Sequence, residues 1–449
     1  MASIPKKRLL AGVLASVFML QVGGASAMGL IQAYEAALQN DPTYIAAIHE
    51  NEAGQQNKAL GRSSLLPNVS ASYSKNKNRA DITEPVMGHP ITSHPIYTSK
   101  IATVGVRQPL FNLEGVARYF QGIAQADYSD AVFSSRAKDL VLRLVGAYAE
   151  AKYAEDNLAL ATAQRDAYAE QMRVNERMFQ KGEGTRTDML ETQAKYDFAE
   201  AQVIETRDNL TTARNSLAAI VGVDVTQLDS LSENFRVQPL QPADFAEWKA
   251  IALEQNAEIA AQRYAVEASR QEVNKNRAGH APRVDMVASL SKNQGETLNT
   301  FDQESTSRSI GVQVNIPLYS GGYVSAATSQ AASNYEKAKS DLEAKRSQVL
   351  VELRKQYSMV LSSATKIDAL VKSVNSAKLL VTATEQSIKG GVRINLDLLN
   401  AQQQLYTARR DLAQARYNYL LSYLRLRNAA GTLNADDVRY VAEYFVASR

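Results

Sequence analysis

Four histidines are the first residues to weigh as metal ligands. His89 and His94 lie five apart in one proline-rich stretch, with His49 and His280 elsewhere. A metal site needs convergent ligands and a supporting shell. The stretch offers Glu84 as its carboxylate, so no metal is expected. Gly321-Gly322 invites comparison with a phosphate loop, but the P-loop and dinucleotide patterns are both absent around it. The pair fits a sharp bend from strand to helix instead. No Ser/His/Asp grouping or paired-carboxylate motif stands out, and there is no cysteine for thiol chemistry or disulfides. Tyr417, Tyr419 and Tyr423 read as packing. No catalytic residue and no cofactor is expected, and the chain does not read as an enzyme. Two glycine-marked turns carry the remaining charge: Gly182 and Gly184 before Asp188, and Gly390 and Gly391 before Arg393 and Asp397. Carboxylates there suit a helix N-terminus.

Those turns end two long rods. Residues 112–180 contain no proline, and from Phe133 their small and apolar residues fall on two interleaved seven-residue series. One runs Phe133, Leu140, Ala147, Ala154, Ala161, Tyr168; the other runs Ala137, Leu144, Ala151, Leu158, Arg165, Met172, Phe179. Alternate threes and fours make a coiled-coil stripe. At about 1.5 Å per residue the helix is roughly 100 Å long. The design returns at 322–389, with Leu353, Val360, Ile367, Val374, Val381 and Ile388 every seven residues.

Lys6, Lys7 and Arg8, the apolar run 9–20 and Ala25-Ser26-Ala27 form a secretory signal, expected to be removed as residues 1–27 to leave Met28 first. Losing three basic residues takes the formal charge from +3 to 0, which leaves no basic surplus for nucleic acid. No later run is apolar enough for a transmembrane helix, which needs about eighteen residues. Strands are another matter. Val69, Ala71 and Tyr73 alternate with Ser70, Ser72 and Ser74; Ala102, Val104 and Val106 repeat the pattern after a loop holding Pro85, Gly88, Pro90 and Pro95. Lipid would face Val69, Ala71 and Tyr73, or Ile310, Val312 and Val314, while serine, lysine and glutamine face a wet lumen. The same strands also suit a soluble hairpin with one buried face.

The chain then starts over. Ala37–Asp41 is echoed by Ala252–Asn256, Pro67-Asn68-Val69 by Pro282-Arg283-Val284, Pro109-Leu110-Phe111 by Pro317-Leu318-Tyr319, and Lys181-Gly182 by Lys389-Gly390. The first repeat covers 28–222: helix, hairpin 68–111, long helix 112–180, short helix 187–221. A connection, 223–245, leads to the second repeat, 246–431: helix, hairpin 283–319, long helix 322–389, short helix 395–430. Residues 432–449 close the chain. Each returning helix is half a rod long, so another helix must complete it. Residues 246–279 are expected to stack on 187–221, and 30–60 on 396–430. Each chain then supplies four strands. The smallest membrane barrels have eight and leave no edge in lipid, so several chains must pool theirs.

Residues 37–42 (Ala-Leu-Gln-Asn-Asp-Pro), Leu66-Pro67, 316–322, Gly391-Val392-Arg393, 397–401, Leu405-Tyr406, 415–419 and Ala430-Gly431-Thr432-Leu433 together form a pattern. Through these residues the sequence resembles the TolC family of outer-membrane channel-tunnels, in particular its type I secretion subgroup. The resemblance implies an α+β membrane protein. Its homotrimer has a 12-stranded transmembrane β-barrel, continuous with a 12-helix periplasmic barrel of coiled coils. An equatorial belt comes from 223–245 and 432–449. The implied function is a passive exit duct in the cell outer membrane, with a large periplasmic part, serving type I protein secretion; a multidrug efflux conduit is the alternative and a periplasmic adaptor a weaker one. The implied partners are a periplasmic adaptor (membrane fusion) protein, an inner-membrane ABC transporter or other efflux pump, and outer-membrane lipid, with no nucleic acid. The resemblance also places entrance links at Thr187, Asp188 and Arg393 and a constriction ring at Asp397 and Asn400. Gly182, Gly184, Gly390 and Gly391 are the turn tips. Asn400 stands where a second aspartate is common and Ile388 where a tyrosine latches some members. Both departures point to a less acidic, differently latched entrance.

Overall fold

The computed structural model describes residues 28–232, 235–297 and 300–446. The signal expected over 1–27 lies outside them, as do residues 233–234, 298–299 and 447–449. The chain begins with α1 (Leu30–Asn40) and α2 (Pro42–Ser63), split at Asp41. Proline at the first helical position loses no hydrogen bond, and the Asp41 carboxylate accepts from the Tyr44 N–H at 2.7 Å. Strands β1 (Asn68–Arg79), β2 (Ile82–Val86), β3 (His89–Ser93) and β4 (Ile96–Phe111) lead into α3 (Leu113–Gln180), which turns into α4 (Arg186–Val221). After β5 (Ser230–Leu231) come α5 (Phe245–Gln255), α6 (Ala257–Arg277), β6 (Arg283–Thr297), β7 (Thr300–Asn315), α7 (Tyr323–Lys389) and α8 (Asn395–Ala430). Helix α9 (Ala435–Ala442) and β8 (Phe445–Val446) finish the described chain. No helix among the described residues is long and apolar enough to cross a membrane.

The rods bury the stripes their spacing implies. Along α3, Leu140, Leu144, Ala151, Ala154, Ala161 and Tyr168 are buried, and along α7 so are Leu353, Val360 and Ile367. The partners are α4 on the second half of α3 and α8 on the second half of α7, each pair an antiparallel coiled coil. Helix α8 also lies against α3, so the two coiled coils share a seam.

The stacking of the jointed legs is the reverse of the sequence expectation. Helix α2 continues α4: the Asn40 side-chain amide donates to the Val221 carbonyl at 2.9 Å. Helix α6 continues α8: Asn256 Nδ2 donates to the Ala429 carbonyl at 3.0 Å. Each return helix covers only half its rod. The remaining first half of α3 is lined by α2 from the same repeat, and α6 also packs against α3. Length alone left both pairings open. Asn256 does two tasks, because its Oδ1 also accepts from the Glu258 and Ile259 N–H groups at the start of α6. In the first repeat the tasks are split between Asn40 and Asp41. Burial alone would push the Asp41 carboxyl up. Hydrogen bonds from Arg143, Thr43 and the Tyr44 N–H outweigh it, with the Arg143 charge, and hold it at about 2.

The four main strands form one antiparallel sheet, ordered β1-β4-β6-β7, so the two hairpins join through β4 and β6. Strands β1 and β7 are left as open edges among the described residues. The stretch read as a loop, 80–95, contains a second hairpin: β2 pairs with β3 across Met87-Gly88, both at positive φ. Pro85 and Pro90 face each other there, a place where neither lost N–H breaks a ladder bond. His94 is bonded to Asp81, a carboxylate the sequence reading passed over. No metal-competent cluster exists among the described residues.

Between sheet and turns lies a belt. Strand β5 pairs with β8, and Met28 bridges to Leu228. Trp248, Tyr148 and Tyr419 are fully buried in this region. Tyr148 donates to the Met28 carbonyl and Tyr419 to the Gln238 carbonyl. Tyr417 stacks near Phe445, and Tyr423 near Tyr440, so these tyrosines pack as expected. Burial raises the phenol of Tyr419 to about 12.

Candidate functional site

The two helix turns lie side by side at the end of the molecule away from the sheet. In the first, α3 stops at Lys181, and Gly182 takes φ 75° to reverse the chain. Gly184 packs so close to Met178 that a Cβ there would sit 3.1 Å from the Met178 Cβ. Thr185 then caps α4: its hydroxyl accepts from the Asp188 N–H at 3.1 Å, while Asp188 Oδ2 accepts from Thr185 Oγ1 at 2.6 Å and from its N–H at 3.3 Å. Asp188 is therefore engaged within its own turn. Thr187 is exposed and makes no side-chain bond among the described residues.

The second turn has the same backbone plan and different chemistry. Gly390 ends α7 at φ −82°, and Gly391 takes φ 74°. The capping position holds Ile394, whose side chain cannot accept a hydrogen bond. Asp397 occupies the helix position that Asp188 occupies in α4, but has no cap to serve. Its partner is Arg393, 3.7 Å away, with both side chains partly exposed. Asn400 is exposed one turn further on. Asp188 and Arg393 do not bond within this chain. They line opposite sides of one cleft of about 710 Å³, together with Met178, Glu385, Ile388 and Asn395.

The links between the coiled coils lie just above. Gln171 Nε2 donates to Asn395 Oδ1 at 2.8 Å, and Asn395 Nδ2 donates to Thr192 Oγ1 at 3.0 Å. Asn175 Nδ2 also donates to Thr192 Oγ1, at 2.7 Å, and the threonine hydroxyl donates to the Asp188 carbonyl at 2.8 Å. Asn175 and Thr192 are buried. This knot ties α3, α4 and α8 together. Further up, Gln164 donates to Gln403 at 2.7 Å, Tyr168 to the same oxygen at 3.2 Å, and Tyr417 to Asp156 at 2.7 Å. Asp156 also pairs with Lys152, a buried lysine that holds Glu155 as well.

Sequence reasoning missed these links, though a signal was present. The stripe Leu140, Ala147, Ala154, Ala161, Tyr168 continues at Asn175, and Thr192, Ala199, Thr206, Ala213 is its counterpart in α4. A polar residue on a coiled-coil seam sets register and partner at a cost in stability.

A seam of this kind, two half-length return helices and an open four-stranded sheet describe one recurring fold. The model of the family described as "Outer membrane efflux protein" matches residues 33–223 and 248–432. The chain belongs to that family. The resemblance to the TolC channel-tunnels holds with it. Alkaline protease secretion protein AprF of Pseudomonas aeruginosa is 42% identical over 98% of this chain and 92% of its own length. Proteases secretion protein PrtF of Dickeya chrysanthemi is 39% identical over 96% and 94%. Among solved structures, the CmeC outer membrane channel of Campylobacter jejuni superposes with a TM-score of 0.77, covering 99% of this chain and 97% of its own at 16% identity, which shows the shared fold.

Proposed function

We propose that this chain is one third of a passive exit duct in the outer membrane, and that its cargo is protein delivered by a type I secretion system. The open sheet carries this reading. Four strands cannot close, a membrane sheet cannot keep an edge in lipid, and three copies supply twelve strands. The exposed face of Val69, Ile310, Val312 and Val314 suits lipid, and the opposite face is a ladder of hydroxyls. The names of AprF and PrtF point to protein secretion as the cargo class. The duct's partners are then a periplasmic adaptor and an inner-membrane ABC transporter, and no catalytic step is involved.

The cleft between the turns is the gate in this reading. Asp188 and Thr187 of one chain and Arg393 of the next are placed to link the coiled coils across the trimer, while the Gln171–Asn395–Thr192 knot links them within it. Asp397, repeated three times, forms an acidic ring, with Asn400 behind it. The glycine tips allow the two turns to close on the axis.

The test is deletion of the gene, with culture-supernatant proteins and drug susceptibility compared between the deletion strain and its parent. Loss of one or a few large exported proteins with unchanged susceptibility is the expected outcome. Unchanged supernatants with raised susceptibility would make the chain a drug-efflux conduit instead.

A further inference from the structure

We propose that the outward face of the sheet carries a basic belt that binds the phosphate groups of lipid headgroups at the outer rim of the barrel. This rests on the reading of the sheet as a membrane barrel. Alternate residues of a strand share a face, and the register fixes which residues of neighbouring strands share it. Starting from the helix side, the apolar face rises through Val284 and Val314, then Met286 and Val312. It continues through Val69, Val106, Ala288 and Ile310, then Ala71, Val104 and Leu290. Tyr73 follows, exposed, where an interfacial aromatic belongs.

At that height the same face turns basic. Arg308 pairs in register with Leu290, Lys292 with Ala102, and Lys75 with Lys100, and Lys77 and Arg79 continue the row on β1. From the Val314 level to the Glu304 level, Glu304 is the acidic side chain on this face, and it is bonded to Lys292. Lys75, Lys77, Arg79, Lys100 and Arg308 have no carboxylate partner among the described residues. On the opposite face Arg107 and Asp285 pair near the helix side, and from the Ser309 level upward the side chains are neutral: Ser70, Ser72, Ser74, Gly105, Thr103, Ser289, Ser291, Ser307 and Ser309. The sequence reading placed the lysines in the lumen; the register places Lys75, Lys77 and Lys100 outside.

The height is right for headgroups. From Val314 to Glu304 is roughly 33 Å of strand at about 3.3 Å per residue, or roughly 25 Å along the membrane normal at a tilt of about 40°. A membrane barrel's apolar band is about that tall. Lys75 and Lys100, directly opposed on adjacent strands, would repel each other without an anion between them. Arg308 and Lys292, set slightly lower, have long stems that reach upward to the same plane. The side away from the helices is the outer leaflet in the proposed orientation, so the occupant is a phosphate-bearing lipid of that leaflet.

The experiment uses the full-length detergent-solubilised protein, titrated with mixed micelles containing bis-phosphorylated lipid A or its dephosphorylated form. Retained lipid is read by native mass spectrometry. Single-channel conductance is recorded on the same preparations. The wild type should retain the phosphorylated lipid preferentially. The Lys75→Gln/Lys100→Gln/Arg308→Gln variant should bind it about a hundredfold more weakly, at roughly fivefold per basic residue, with conductance intact. Lys75→Arg/Lys100→Arg should restore retention, and Lys337→Gln on α7 should leave it unchanged. Equal retention of both lipids, or undiminished retention by the triple Gln variant, would overturn the belt while leaving the duct in place. Absence of conductance from the wild type would overturn the barrel reading itself.

Discussion

Asp188 and Asp397 hold the same position in equivalent helices and are in different electrostatic situations. Thr185 ties the first into a capping box, whereas Ile394 leaves the second with only a partly exposed arginine at 3.7 Å. An exposed pair of that kind contributes about 0–1 kcal/mol, so in the proposed duct Asp397 is the carboxylate free to act on passing ions. We expect Asp397→Asn to move the reversal potential in a salt gradient toward zero, and Arg393→Ala to move it the other way. If both variants conduct with wild-type selectivity, Asp397 is not on the conduction path. The knot above the turns bears on a different property. Gln171→Ala with Asn395→Ala deletes hydrogen bonds worth about 0.5–1.5 kcal/mol each. The double variant should show longer or larger openings in planar bilayers, with trimer yield unchanged; wild-type gating would leave the knot a purely structural tie.

Among elements, the joints of the stacked legs leave no room for a side chain. Gly431 sits at φ 82°, and a Cβ there would meet the Gln255 carbonyl oxygen at 2.4 Å. Gly182 has nearly the same φ with nothing within 4 Å. Alanine should therefore cost about 1 kcal/mol at Gly182, from backbone conformation alone. At Gly431 it should cost several times that and lower the thermal unfolding temperature, because α6 and α8 can no longer abut. Equal shifts for the two variants would show that the joint yields. The sequence made the rods legible because seven-residue spacing over nearly seventy residues admits few other readings. It left the joints illegible, because Asn40 and Asn256 announce a helix break without saying which helix lies beyond it. The hairpin at 82–93 was hidden by prolines that an edge pair tolerates. The knot was hidden because Asn175 and Thr192 look like surface residues until the stripe is followed through them. The turn residues Thr187, Asp188 and Arg393 were chosen by resemblance, and within one chain only the cleft brings the last two near each other.

At the scale of the whole molecule, the proposed barrel gives the sheet one face for lipid and one for water, and substitutions should be felt accordingly. Ile310 stands near the middle of the apolar band and Ser309 on the opposite face. Ile310→Lys should cost about 2–4 kcal/mol of barrel stability, seen as loss of the folded, heat-modifiable form after insertion into vesicles. Ser309→Lys should insert normally and alter conductance instead. Similar insertion of both would mean that the faces are not divided between lipid and water. In the proposed trimer the helical rods and the sheet also divide the labour of assembly: α3 pairs with α4 and α7 with α8 within a chain, whereas the sheet closes only between chains.

That open sheet has a genetic consequence. In the proposed trimer every subunit offers β1 to one neighbour and β7 to the other, so a copy with one spoiled edge still joins through its good one and then blocks closure. Expressed alongside the normal gene in equal amount, such a copy would leave only about one trimer in eight wholly normal. An edge variant should thus behave as a dominant inhibitor of export. A null allele of the same gene should be recessive.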